Sequence, residues 1–132
     1  LIAAPSDQST GAVWGCNGTN ITGAAGTAIG TGAQNTIDIL AECSTADIAA
    51  DVCRDLTIGA YSDWFLPSKL ELKEMYDNRA IIGNFTTSIY WSSTESSSQP
   101  TIAAWYIRFN DGYFASNLQK SNASYVRAIR AF

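Results

Sequence analysis

The sequence predicts an α+β domain, with two or three short helices in the first half and an antiparallel sheet in the second. Helix caps followed by apolar residues at helical spacing recur between residues 35 and 77. From Phe85 onward the period changes to alternation, and Asp111-Gly112 separates two such runs. Three of the four tryptophans sit in dense aromatic strings of the second half: Asp63-Trp64-Phe65-Leu66-Pro67, Tyr90-Trp91-Ser92-Ser93-Thr94-Glu95 and Ala104-Trp105-Tyr106-Ile107-Arg108-Phe109. Aromatics bury roughly 150 to 250 Å² each, so these strings mark a compact β-rich unit. At 132 residues the chain can bury one core without many disulfides or metals, and residues 1–132 are read as a single domain.

Taken in order, residues 15–34 hold Gly15, Gly18, Gly23, Gly26, Gly30 and Gly32 among small and hydroxyl residues and read as a long loop. The loop has neither a Gly-Lys-Ser/Thr ending nor Gly-X-Gly-X-X-Gly spacing, so phosphate binding is not expected. Asn35 is placed to cap a helix over about 36–42, with Ile37, Leu40 and Ala41 on one face. After Ser44 and Thr45, the set Ile48, Ala49, Val52, Cys53 and Leu56 predicts an amphipathic helix ending before Gly59. Ser68 and Glu71 form a capping box that opens a helix to about Asp77, with Leu72, Met75 and Tyr76 inward and Lys69, Lys73 and Glu74 in solvent.

In the second half, Tyr90 and Trp91 fall in a short strand. Trp105, Ile107 and Phe109 then point one way and Tyr106 and Arg108 the other. Asp111-Gly112 predicts a type I′ turn into Tyr113–Ser116. The last strand runs from Tyr125 to Phe132, so that Arg127 and Arg130 face opposite sides. Trp64, Trp91 and Trp105 are assigned to the core, and Ser92, Ser93 and Thr94 to satisfying buried backbone.

The formal charge is −4 with pI about 4.5, which argues against nucleic-acid binding. Residues 1–62 set six acidic groups against Arg54 alone, whereas residues 104–132 set Arg108, Lys120, Arg127 and Arg130 against Asp111. An acidic chain with such a basic closing segment can present a local anion-attracting face. No stretch reaches the ~18 apolar residues of a membrane helix, so no membrane insertion is expected. No signal peptide is visible; the opening Leu1-Ile2-Ala3-Ala4-Pro5 suggests a fragment of a longer, exported protein. Cys16, Cys43 and Cys53 allow one disulfide with one thiol left over, or three free thiols; their spacing fits no zinc pattern.

Without histidine a Ser-His-Asp or Cys-His site is impossible within the chain. Asp63 and Glu95 could pair for glycoside hydrolysis, but capping and strand-end roles account for them better, and no enzyme activity or cofactor is expected. Aromatic and basic groups together suit a sugar, whose faces stack on rings while its sulfates or carboxylates pair with cations. The candidate ligand-binding residues are Arg108, Lys120, Arg127, Arg130, Tyr106, Tyr113 and Tyr125.

Taken together, Asp63–Ser68 with Glu71-Leu72, Tyr90–Glu95, Ala104–Tyr106, Asp111-Gly112 and Tyr125-Val126-Arg127-Ala128-Ile129-Arg130 resemble the Lcl-type C-terminal domain. This bacterial family is named for the collagen-like adhesin of Legionella. The segments Ile2–Ser9, Trp14–Cys16 and Gly26–Gly32 look like one subgroup of it, so the likeness covers nearly the whole chain. The resemblance implies a C-type-lectin-like fold, an extracellular or surface location, a homotrimeric adhesin head, and sulfated glycosaminoglycan or another anionic glycan as ligand. Many relatives carry a cysteine between the last two arginines, paired with one on the helix before the Asp-Trp string. Ala128 stands there in this chain, which leaves Cys53 to bridge, if at all, to Cys16 or Cys43. Calcium-bridged sugar binding is not expected, because Gln99-Pro100-Thr101 lacks the needed carboxylate and Phe109-Asn110-Asp111 is a poor match to the companion motif.

Two other functions are weighed. Residues 99–124 could form a diversified receptor-binding surface of the retroelement-cassette kind, rich in Tyr, Ser and Asn. Formylglycine-generating enzymes share the fold class but need a late cysteine pair, and this chain has no cysteine after Cys53.

Overall fold

The computed structural model describes all 132 residues. In chain order the elements are β1 (Ile2–Ala3), β2 (Ser9–Ala12), α1 (Gly32–Glu42), α2 (Ala49–Arg54), α3 (Lys69–Asp77), α4 (Arg79–Ile82), β3 (Ile89–Glu95), β4 (Ala103–Arg108), β5 (Tyr113–Gln119), β6 (Ser124–Val126) and β7 (Ile129–Arg130). The main sheet has the order β2-β6-β3-β4-β5 and is antiparallel except where β3 and β6 run parallel. β1 pairs with β7, which brings the two ends of the chain together.

Tyr90 and Trp91 alternate across β3, and each belongs to a different core, so both sheet faces are covered. Trp91 and Tyr106 pack with Trp14, Ile39, Ile48 and Trp64 against α1 and α2. Tyr90 and Ile107 pack with Leu72, Met75 and Phe109 against α3. Double coverage is why Tyr106, a candidate ligand-binding residue, is buried.

α1 begins four residues earlier than its sequence signal. Asn35 is not the cap but a buried residue inside the helix, where its amide bonds Gly26 N, Gly26 O and Ser93 Oγ. Ile37 is exposed, and the inward stripe is Gly32, Asn35, Thr36 and Ile39. Gly32 is required by close approach: a Cβ there would meet Leu66 O and Ser68 N at 2.8 Å. The capping box of α3 forms as expected, and Glu71 does more than close it. Fully buried, its carboxylate accepts from Ser68 N at 2.8 Å, Gly30 N at 3.0 Å and Gly32 N at 3.1 Å, tying the glycine loop to the helix start. α4 has no counterpart in the sequence reading.

The hairpin between β4 and β5 is not type I′. Only Gly112 has positive φ, and its N–H closes a wider turn on Arg108 O at 2.7 Å. Asp111 serves this turn through its carboxylate, which accepts from Tyr113 N. The expected final strand is two strands, because the chain leaves the main sheet at Arg127–Ala128 and re-pairs with β1. The disulfide joins Cys16 to Cys43, while Cys53 is buried and free, its thiol pushed far up by desolvation. Of the alternatives the sequence left open, one disulfide with one thiol left over is the one that forms, and Cys53 bridges neither Cys16 nor Cys43.

Register shifts flank Trp105 on both sides of β4. Three residues of β3 stand between the pairs Trp91–Tyr106 and Glu95–Ala104, and an extra residue of β5 stands between Ala104–Leu118 and Tyr106–Ala115. Bulges of this kind re-aim a side chain, and Trp105 is half-exposed instead of lying in the core with Trp64 and Trp91.

Candidate functional site

Most of the basic groups singled out from the sequence are engaged within the fold. Lys120 is fully buried; its Nζ donates to Glu95 Oε2 at 2.7 Å and to Thr19 O and Pro100 O at 2.8 Å. Burial pulls its pKa below the ordinary lysine range, against the opposing pull of Glu95. Arg127 is also fully buried. Its Nε donates to Asp7 at 2.9 Å, and its terminal nitrogens donate to the carbonyls of Ala4, Gly83 and Asn84. These two residues hold loops together and present no charge outside, so the expectation that they line a ligand face is not met.

Arg130 makes a two-pronged contact with Asp63, at 2.7 and 3.1 Å, and stacks on Tyr61. That guanidinium holds the Asp63 carboxyl below its usual range. Glu95 and Asp63, the paired-carboxylate candidates, are thus each committed to a cation. Tyr106 is buried and donates to Asn117 Oδ1 at 2.8 Å. In all, six of the eight Lys and Arg side chains are ion-paired, and only Lys69 and Arg79 have no carboxylate partner.

Three candidates do come together. Arg108 and Tyr125 line one cleft of about 340 Å³ with Thr10, Thr87, Ser88 and Ser124, and Tyr113 sits opposite Arg108 across the hairpin. Tyr113 is 48% exposed, and the Arg108 guanidinium lies 5.1 Å from its ring centre. Arg108 grips Asp111 through Nε and one terminal nitrogen, at 3.1 and 2.6 Å, leaving the other terminal nitrogen without a protein partner. This grip holds Asp111 below the ordinary carboxylate range and nearly cancels the local charge.

A second polar cleft of about 320 Å³ lies beside Lys69 and Trp105. The sequence reading missed both residues, placing Lys69 on a solvated helix face and Trp105 in the core. No sequence signal marks the two bulges that turn Trp105 outward. No group of three or more His, Cys, Asp or Glu side chains is gathered that could hold a metal ion. No helix is long and apolar enough to cross a membrane.

The fold and its clefts define a small α+β domain, with helices on both faces of a mostly antiparallel five-stranded sheet and polar, aromatic-edged hollows at its surface. The chain belongs to the Lcl C-terminal domain family, whose model matches residues 4–130. The family is of the collagen-like adhesin type, and the match covers nearly the whole chain. No curated protein matches the chain at a significant level.

Proposed function

We propose that this domain is an extracellular adhesin head, C-type-lectin-like in fold, that binds a sulfated or otherwise anionic polysaccharide in the cleft of Arg108 and Tyr125. The carrying observation is that Arg108 and Tyr125 line one hollow walled by four hydroxyl side chains, with Tyr113 paired opposite Arg108 in the hairpin beside it. Hydroxyls and tyrosines suit sugar rings, and the unspent terminal nitrogen of Arg108 suits a sulfate or carboxylate oxygen. The paired ends of the chain at β1 and β7 support the fold reading.

One guanidinium shared with Asp111, on a chain of net charge −4, gives weak attraction to a polyanion. Useful affinity therefore calls for several copies acting together, and a trimeric head supplies it, since linked sites gain about 10²- to 10⁴-fold without new contacts. The test is heparin against a desulfated chain, measured on material sized by sedimentation, with Arg108→Gln and Tyr125→Ala. Binding should weaken in both variants and fall as salt rises from roughly 0.1 to 0.5 M. Salt-independent binding, or unchanged binding by Arg108→Gln, rules this site out.

A further inference from the structure

Trp105 is the one tryptophan that is not buried. The indole N–H groups of Trp14, Trp64 and Trp91 donate to the carbonyls of Ser92, Tyr61 and Ala12, whereas that of Trp105 has no acceptor in the protein. Over its ring, 3.6 Å from the centre, stands the ammonium of Lys69, which has neither a carboxylate nor any other protein acceptor. Two unspent donors, one of them charged, thus share a cleft with the polar side chains of Asn20, Thr22, Thr27 and Ser97.

The cleft is built in advance of any ligand. Glu95 Oε2 accepts from Ile21 N at 2.6 Å, Glu95 N donates to Ala24 O at 2.8 Å, and Leu70 N donates to Thr27 O at 3.1 Å. Lys120, gripping Pro100 O at 2.8 Å, neutralises Glu95, the only carboxylate lining the cleft. Lys69 is therefore the uncompensated charge there. Phe114, whose ring centre is 5.0 Å from that of Trp105, packs edge-on against it from outside the cleft lining.

We propose that this cleft binds one acidic pyranose, a sugar ring bearing a carboxylate or sulfate. The Lys69 ammonium takes the acid group, while the Trp105 indole N–H and the surrounding hydroxyl and amide groups take ring oxygens. The apolar face of the sugar rests on the exposed edge of the Trp105 ring. The inference shares the glycan class with the proposed function but rests on different residues in a different cleft, so either can fail alone.

The three other indoles are buried, so Trp105 supplies a local reporter. Titration with glucuronic acid should change tryptophan emission saturably, with a dissociation constant of about millimolar order for so small a ligand. Lys69→Gln should weaken binding about tenfold, and Lys69→Arg should retain it. Trp105→Phe should abolish the emission change and weaken binding measured by calorimetry. Lys69 and Trp105 are both partly exposed, and cooperative thermal unfolding of each variant checks its fold. Glucose binding as tightly as glucuronic acid would overturn the proposal. So would inorganic sulfate reproducing the full response, an unaffected Lys69→Gln, or the absence of any saturable change.

Discussion

Removing Lys120 should cost the domain far more than any exposed lysine. In Lys120→Met the aliphatic stem is kept, but Glu95, which is 6% exposed, loses its counter-ion, and the carbonyls of Thr19 and Pro100 lose their donor. Breaking a buried pair from one side costs about 3 to 5 kcal/mol, because it strands the remaining charge. Thr19 is exposed and Pro100 half-exposed, so water can recover part of what their carbonyls lose, and about 4 kcal/mol is the expected total. For a chain of 132 residues that corresponds to a fall in Tm of roughly 15 °C. The assay is urea and thermal unfolding of wild type, Lys120→Met, Glu95→Gln and the double variant. The double variant should recover at least about 2 kcal/mol relative to the sum of the singles, since it strands no charge. A Lys120→Met protein within about 1 kcal/mol of wild type would refute the reasoning, showing that the pair is solvated in solution.

Reducing the Cys16–Cys43 bridge, or Cys16→Ser with Cys43→Ser, should destabilise by about 3.5 kcal/mol through chain entropy at a separation of 27 residues, read by urea unfolding with and without reductant. Cys53, buried with its thiol pushed up, should resist thiol reagents until the domain unfolds, as mass spectrometry of labelled protein would show. Gly112→Ala should cost about 2 kcal/mol, because Gly112 has φ +76° and a Cβ would meet the Tyr76 ring at 2.8 Å; thermal melts check it. Burial raises the Tyr90 pKa, and its hydroxyl donates to Asp7. Its contribution is therefore fully present below the unfolded tyrosine pKa of about 10 and is lost as pH rises through the higher folded value, so Tyr90→Phe should flatten the alkaline fall in stability.

Signals contained within one turn of chain proved legible. The Ser68–Glu71 capping box and the inward Leu72 and Met75 depend on residues three or four apart, and all stand as read. Asp111-Gly112 marked the right place but not the turn type, because the Arg108–Asp111 contact and the packing of Gly112 on Tyr76 select a wider loop. The Asp63, Tyr90 and Ala104 strings were legible as a set and led to the family. Trp105 was misassigned because alternation assumes a regular ladder, and the bulges beside it come from the neighbouring strands β3 and β5.

Charge was where the linear reading went furthest astray. Residues 104–132 look basic because their counter-ions lie elsewhere in the chain: Asp7 for Arg127, Asp63 for Arg130 and Glu95 for Lys120. Helix caps, glycine turns and apolar periods are set by neighbours in sequence, so the amino-acid order alone established an α+β chain of this family. Which cations are spent inside the fold and which stay free is set by contacts across as many as 123 residues, through desolvation and pairing that exist only once the chain is folded. Folding left Lys69 over an outward-turned Trp105 as the free charge in a built cleft, a pairing no local pattern encodes.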